Sequence, residues 1–180
     1  MMTSGLRPFV LMMLWMVAGA APARAQVTRD QIPGVTNFAR VETTVACAGA
    51  VKPEAIADLK RLGFASVINL RLATEPGVDI DAEAAAAKTA GMAFVHIPVS
   101  AQSPDPAAVD LFLRAVTTPA NEPAFIHCAS GNRAAAFWMI KRIQVDGWSE
   151  AKAGEEATAL GLSSSPLKQF ALDYVHSHKR

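Results

Sequence analysis

The chain has 180 residues, of which 51% are hydrophobic and 18% are charged, and its formal net charge is +1. This apolar content excludes a disordered tail and suits one compact domain. The even charge balance gives no electrostatic signal for nucleic acid or for an anionic membrane surface. Two cysteines exclude a disulfide-dense mini-protein and a four-cysteine zinc site.

The first 25 residues have the pattern of a secretory signal peptide. Arg7 precedes an apolar stretch over 8–21, and residues 23–25 (ARA) match a cleavage site with small residues. The alternative is a membrane anchor, but the 16 uncharged residues between Arg7 and Arg24 are short for a span that needs about 20. We therefore expect cleavage to leave residues 26–180 as a single domain, periplasmic or secreted and not held in a membrane.

The mature chain alternates predicted strands and helices. Residues 26–38 are polar and predict a loosely attached arm. Short apolar or β-branched runs predict strands at 41–47, 65–70, 92–99 and 123–127. Helical periodicity and capping residues predict helices from Pro53, over 81–90, from Asp105-Pro106, over 134–143, from Ser149 and from Ser165-Pro166. This order predicts an α/β fold with a mostly parallel central sheet flanked by helices.

One loop carries the residues expected to perform chemistry. The predicted strand at 123–127 runs directly into Cys128, and Arg133 stands where the next helix begins. The N–H groups of such a loop and the positive end of the following helix can hold an anion. The same field favours a thiolate at Cys128, and the Arg133 guanidinium matches a phosphate edge. The pattern therefore indicates a nucleophile attacking phosphorus or sulfur, the alternative being a structural cysteine buried at a strand end.

The loop 127–133 (HCASGNR) resembles the active-site loop of cysteine-dependent phosphatases of the tyrosine and dual-specificity group. With the segments at 67–71 (VINLR), 91–99 (GMAFVHIPV) and 147–149 (GWS), the chain is similar to the phosphatase-like domain of bacterial beta-lactamase hydrolase-like proteins. The resemblance implies a protein-tyrosine-phosphatase-like fold and hydrolysis of a phosphorylated protein or a small phosphomonoester through a phospho-cysteine intermediate. It implies Cys128 as nucleophile, Arg133 as phosphate ligand, and further phosphate contacts from Ala129, Ser130, Gly131 and Asn132.

Two departures from the common phosphatase loop keep other functions open. Four residues, rather than five, separate Cys128 from Arg133, a spacing that also resembles rhodanese-type sulfurtransferase loops. Ala134 stands where many phosphatases have a Ser or Thr that helps the thiolate leave, and Ser130 or Asn132 is the alternative source of that help. The rival functions are a sulfurtransferase that carries a persulfide on Cys128 and a non-catalytic anion-binding module.

The general acid is the third departure. Ser100 and Ala101 stand where the dual-specificity group has an Asp, and Asp105 is the nearest carboxyl group. An Asp before a Pro at a helix start is also a common N-cap, so both roles remain open for Asp105. Glu75 is the other candidate. No HExxH motif, paired CxxC motif or acidic cluster indicates a metal, so we expect no cofactor.

Three further residues are expected in or near the loop. Arg71 ends a buried strand at the same sheet edge as Cys128, where it could bind substrate or pair with Glu75. The resemblance implies that His127 orients the loop and keeps the cysteine ionised, from the opposite face of the strand. Cys47 ends another strand and could form a protective disulfide with Cys128, the alternative being a small buried hydrophobe.

Overall fold

A computed structural model of the chain describes residues 26–41 and 44–178. The signal-peptide prediction for residues 1–25 falls outside these ranges. Six strands are formed by the described residues: β1 (Val27–Arg29), β2 (Ala39–Val41), β3 (Val45–Ala48), β4 (Ser66–Asn69), β5 (Ala93–His96) and β6 (Ala124–His127). They build one sheet in the order β1-β2-β3-β6-β4-β5. Strands β3, β6, β4 and β5 pair in parallel, whereas β1 and β2 pair antiparallel, so the mostly parallel sheet is confirmed.

Helices cover both faces of this sheet. Within the described ranges the α-helices are α1 (Ile56–Arg61), α2 (Ile80–Thr89), α3 (Pro106–Val116), α4 (Asn132–Gln144), α5 (Glu150–Ala159) and α6 (Ser165–Ser177). Short 3-10 turns stand at Pro53–Ala55 and Pro119–Asn121. Helices α1 and α2 contribute to a smaller apolar cluster, and α3 to α6 contribute to a larger one. No helix in the described part of the chain is long and apolar enough to cross a membrane.

The central strand β6 delivers the loop that follows it. Its side chains alternate between the two clusters, with Phe125 in the smaller cluster and Ile126 and Cys128 in the larger one. In register, His127 lies beside the last residue of each neighbouring parallel strand, β3 and β4. The loop therefore emerges at the carboxyl edge of the sheet, where α/β sheets place their ligand sites.

Side-chain caps explain where most helices begin. The predicted caps Asp105 and Ser149 accept hydrogen bonds from N–H groups in the first turns of α3 and α5. Asp79 caps α2 in the same way. For α6 the cap is Ser164, one residue earlier than the predicted Ser165, because its hydroxyl accepts from the N–H of Leu167.

Two predictions for the start of the domain are wrong. Residues 41–47 do not form one strand: β2 ends at Val41, which pairs antiparallel with Val45 after a reversal. The β-branched pattern continues through that reversal without Gly or Pro, so the sequence carries no turn signal. The arm at 26–38 is also not loose, because it contains β1, and Arg29 Nη2 donates to the carbonyl of Ala159 at 2.8 Å. Because β1 is an edge strand that faces solvent, its residues are polar, and its composition resembles that of an unstructured segment.

Candidate active site

Cys128 lies at the base of the loop that follows β6. It is 1% exposed, and its N–H donates to the carbonyl of Ala48 at 3.2 Å, which extends the pairing of β3 with β6 by one residue. The N–H of Gly131 donates to Cys128 Sγ at 3.1 Å. Gly131 has a φ of +99°, a left-handed conformation that favours glycine. The backbone turn thus directs a donor at the sulfur, whose thiolate is the form that attacks.

Arg133 is held by carbonyls in the segments that follow β4 and β5 and by one carboxylate. Its Nη1 donates to the carbonyls of Leu70, at 3.1 Å, and Val99, at 2.6 Å. Nη1 and Nη2 also donate to the two carboxylate oxygens of Glu75, at 2.5 and 2.8 Å. Within the described residues Nε makes no hydrogen bond, so the edge that Nε forms with Nη2 remains for a bidentate oxyanion.

The charges around Arg133 stabilise its protonated form. Burial alone would lower the pKa of Arg133, but the hydrogen bonds that it donates to Glu75 and the charge of the nearby Cys128 raise it above its ordinary value. The site therefore places a permanent cation beside the sulfur atom of Cys128. Such a pair suits the attack on a phosphoryl or sulfuryl centre, because the cation neutralises the oxygens of the group being attacked.

Glu75 is ionised and holds the Arg133 guanidinium in place. The hydrogen bond from Arg133 is the largest cause that lowers the pKa of Glu75, to about 2, with further lowering by the N–H of Leu72 and by Arg71. Leu72 N donates at 2.9 Å and Arg71 Nε at 3.2 Å. A carboxylate with so low a pKa holds no proton at neutral pH. Glu75 consequently does not serve as the general acid in this arrangement.

The outer side of the loop is fixed by amide side chains. Asn132 Oδ1 accepts from the N–H groups of Ser163, at 2.7 Å, and Ser164, at 2.8 Å, while its Nδ2 donates to Ser130 Oγ at 3.2 Å. Asn37 Nδ2 donates to the carbonyl of Ser130 at 3.2 Å. Asn132 thus connects the loop to the start of α6. The polar segment containing Asn37 gave no sequence signal for this contact.

The end of β3 approaches the loop too closely for a side chain. Gly49 forms an isolated antiparallel bridge with Ser130, and the N–H of Ala50 donates to the carbonyl of Ala129 at 3.0 Å. A Cβ atom on Gly49 would lie 2.9 Å from that carbonyl oxygen and 3.2 Å from Ser130 Cα. Only glycine fits here without moving the loop.

His127 faces away from Cys128, beside a buried carboxylate. His127 is 0% exposed and Glu83, on α2, is 1% exposed; Nε2 and Oε2 are 3.1 Å apart but not aligned for a hydrogen bond. Asn69 Nδ2 donates to the same Glu83 oxygen at 2.7 Å. Glu83 is not among the residues predicted from the sequence. Its signal is a carboxyl group on the buried stripe of an otherwise alanine-rich helix.

The remaining candidates are Asp105, Arg71 and Cys47. Asp105 is exposed, and its Oδ1 accepts from the N–H of Ala107 at 2.9 Å, so the N-cap is present. Arg71 is paired with Glu75, as one of its two predicted roles required. Cys47 and Cys128 are free thiols. Burial, and secondarily the charge of Cys128, raises the pKa of Cys47, and the predicted disulfide stays a prediction.

Comparison with known proteins agrees with this geometry. The family model described as beta-lactamase hydrolase-like protein, phosphatase-like domain, matches residues 37–145. The chain is 33% identical over 125 residues to a beta-lactamase hydrolase-like protein of Xylella fastidiosa. That alignment covers 67% of this chain and 27% of the Xylella protein, so the chain spans about a quarter of that relative's length.

Solved structures share the fold. A DUF442 protein of Shewanella putrefaciens CN-32 superposes with a TM-score of 0.67 at 24% identity, covering 83% of this chain and 97% of that one. TpbA of P. aeruginosa, in a complex with pTyr, superposes with a TM-score of 0.65 at 22% identity, covering 88% and 93%. The expected protein-tyrosine-phosphatase-like fold is therefore confirmed.

Proposed function

Because the chain belongs to the family of phosphatase-like domains named after beta-lactamase hydrolase-like proteins, we propose that it is a cysteine-dependent phosphatase acting on phosphomonoesters of the phosphotyrosine or aryl phosphate type. The observation that carries this proposal is the Arg133 guanidinium. It is fixed by Glu75 and by the carbonyls of Leu70 and Val99, with its Nε edge left for an oxyanion, near the Cys128 sulfur. The pTyr complex of TpbA supports the aryl class of substrate.

The first chemical step makes a phospho-cysteine. The Cys128 thiolate attacks phosphorus, an S–P bond forms, and the bond between phosphorus and the leaving oxygen breaks. Arg133 and the loop N–H groups bind the equatorial oxygens, where charge accumulates in the transition state. The leaving oxygen takes a proton from a general acid. Water then attacks phosphorus, the S–P bond breaks, and the products are inorganic phosphate and the regenerated thiolate.

We assign the general acid to Asp105. Its Oδ2 atom makes no hydrogen bond among the described residues, while Oδ1 caps α3. Asp105→Asn separates the two roles, because Asn is an equally good N-cap but donates no carboxyl proton. We expect the variant to slow hydrolysis of an alkyl phosphate, a poor leaving group, by at least ten-fold, and of para-nitrophenyl phosphate much less. Equal rates for wild type and variant on both substrates would contradict the assignment.

The phosphatase itself is tested with reduced protein and para-nitrophenyl phosphate in the absence of metal. We expect phosphate release that is lost in Cys128→Ser and in Arg133→Ala. Arg114→Ala, which removes an exposed guanidinium on α3, is the matched control and keeps full activity. A Cys128→Ser protein that still releases phosphate at the wild-type rate refutes the proposal.

The spacing of four residues between Cys128 and Arg133 favours sulfur transfer as a rival activity, and a parallel assay on the same proteins tests it. With thiosulfate and cyanide as substrates, a sulfurtransferase would place a persulfide on Cys128 and release thiocyanate. Thiocyanate without phosphate release would assign the site to sulfur transfer. If neither product forms and the protein still binds inorganic phosphate, the loop is an anion-binding module.

We further propose that the protein is exported after cleavage following Ala25. The support is the pattern of Arg7, the apolar stretch and the small residues at the cleavage site. Amino-terminal sequencing of protein isolated from the periplasmic and culture fractions should begin at Gln26. Protein that retains Met1 and fractionates with the membrane would refute the proposal.

A further inference from the structure

A cavity of about 340 Å³ lies between the segment that follows β3 and the segment that follows β4. One wall includes Thr36, Ala50 and Lys52, and the other includes Arg71 and Gly77. Its volume falls within the range of small-molecule sites. Its lining contains two cationic side chains and no carboxylate. The lining therefore has the electrostatic character of an anion site.

Arg71 offers the cavity an unused donor. The residue is 5% exposed; its Nε donates to Glu75 and its Nη2 to the carbonyl of Pro76 at 2.7 Å. Nη1 makes no hydrogen bond to any described residue. It is also not fully enclosed, since the fully buried partnerless side-chain nitrogens of the described residues are those of His127. Arg71 lines the cavity, and Nη1 is the guanidinium nitrogen that no described residue occupies.

The charged side chains around the cavity have a net positive charge. Arg71 and Arg133 share the single carboxylate of Glu75. One carboxylate thus stands against two guanidinium groups, and the cavity lining adds no further carboxylate. Lys52 adds a second, exposed cation whose ammonium makes no hydrogen bond to the described residues. A buried, rigid guanidinium with an ammonium beside it matches a dianionic phosphate better than a single carboxylate.

Both walls of the cavity are tied to the catalytic loop. On one side the N–H of Ala50 donates to the carbonyl of Ala129. On the other side Glu75 bridges Arg71 to Arg133 through hydrogen bonds to both guanidinium groups. The cavity lining is therefore connected to the loop by hydrogen bonds at Ala50 and through Glu75.

We propose that this cavity binds a second phosphate group of the substrate, so that the preferred substrates are small bisphosphorylated molecules. The inference rests on the proposed phosphatase site, because the first phosphate must occupy the loop. The second phosphate accepts from Arg71 Nη1 and lies against the Lys52 ammonium. The cavity thereby sets substrate preference without taking part in the chemical step.

The test measures binding separately from turnover. Calorimetry on Cys128→Ser compares butyl phosphate with the propane, butane, pentane and hexane α,ω-bisphosphates, and with butyl phosphates that end in a carboxylate. We expect at least one bisphosphate to bind ten-fold or more tightly than butyl phosphate, and the carboxylate to gain less. Lys52→Gln and Arg71→Gln should each remove most of that advantage. Lys88→Gln, on the exposed end of α2, is the control and should retain it.

The outcomes are distinguishable from those of the phosphatase test. The proposal is overturned if no bisphosphate of the series binds more tightly than butyl phosphate. It is also overturned if the tighter binding of a bisphosphate persists in both Lys52→Gln and Arg71→Gln. If Arg71→Gln does not fold, Lys52→Gln alone decides. Wild-type protein that shows the binding advantage but releases no phosphate would leave the second site standing and refute the proposed phosphatase.

Discussion

At the scale of single residues, Glu75 fixes the orientation of Arg133. Both guanidinium nitrogens of the fork donate to its carboxylate. In Glu75→Gln one of these acceptors becomes a donor, so Arg133 loses its bidentate partner. We expect kcat/KM for para-nitrophenyl phosphate to fall on the order of 100-fold, as small misplacements of a positioning group do. Glu54→Gln, which changes an exposed carboxylate, should match wild type, and equal activities of the two variants would contradict this role.

Glu75 should also shape stability in acid. Its folded-state pKa of about 2 lies below the ordinary 4.5, so the ionised form stabilises the fold. That contribution is fully present above pH 4.5 and is lost as the pH falls towards 2. We expect the urea midpoint of wild type to drop more steeply between pH 4.5 and 2 than that of Glu75→Gln. Parallel pH profiles would show that Glu75 adds no acid-sensitive stability.

Gly49 limits how closely β3 can approach the loop. In Gly49→Ala the new Cβ meets backbone atoms at 2.9 and 3.2 Å, which cannot move without displacing the loop. We expect a loss of roughly 1–3 kcal/mol in unfolding free energy, together with weaker binding of inorganic phosphate. Gly154→Ala is the matched control: it lies within α5, its Cβ would meet Met139 Cε at 3.7 Å, and it should gain about 0.5–1 kcal/mol. Unfolding titrations and calorimetry measure both.

At the scale of elements, α5 is attached to α4 by a buried ion pair. Glu156 accepts from Trp138 Nε1 and from Arg142 Nε, each at 2.7 Å, and the charged side chains are 6% and 11% exposed. Glu156→Ala leaves Arg142 without this carboxylate, and we expect a loss of about 3 kcal/mol. Glu150 on the same helix pairs with His176 at the surface, so Glu150→Ala should lose less than about 1 kcal/mol. Equal losses in urea unfolding would contradict the distinction.

At the scale of the whole molecule, the sheet joins two apolar clusters. Phe64 packs in the smaller cluster against Phe38 and Phe125, at ring-centroid distances of 6.2 and 6.0 Å. Trp138 belongs to the larger cluster on the other face, and Trp148 packs against that cluster. Phe64→Ala should cost about 3–5 kcal/mol. If the two faces unfold together, the urea midpoints of Phe64→Ala measured by tryptophan fluorescence and by far-UV circular dichroism fall to the same lower value. A fluorescence midpoint that stays at the wild-type value would show that the two faces unfold independently.

The sequence by itself determined the elements of the parallel half and the loop between β6 and α4. Apolar runs, helical periodicity and capping residues are local signals, and each concerns residues a few positions apart. Cys128 and Arg133 are brought together by the same local geometry, because a short loop between a strand and a helix fixes both. The resemblance of this loop to a family motif could therefore be identified from the sequence without knowing the order of the strands.

Only the tertiary structure decided how the site is supported. Glu75 and Arg133 are 58 positions apart, and Leu70 and Arg133 are 63 apart, so these contacts depend on β4 lying beside β6. The pairing of β1 with β2 and the approach of Glu83 to His127 depend on the sheet order as well. Strand order is a global outcome of packing that no local pattern records. The partners of Arg133 and the cavity beside Arg71 are therefore properties of the fold.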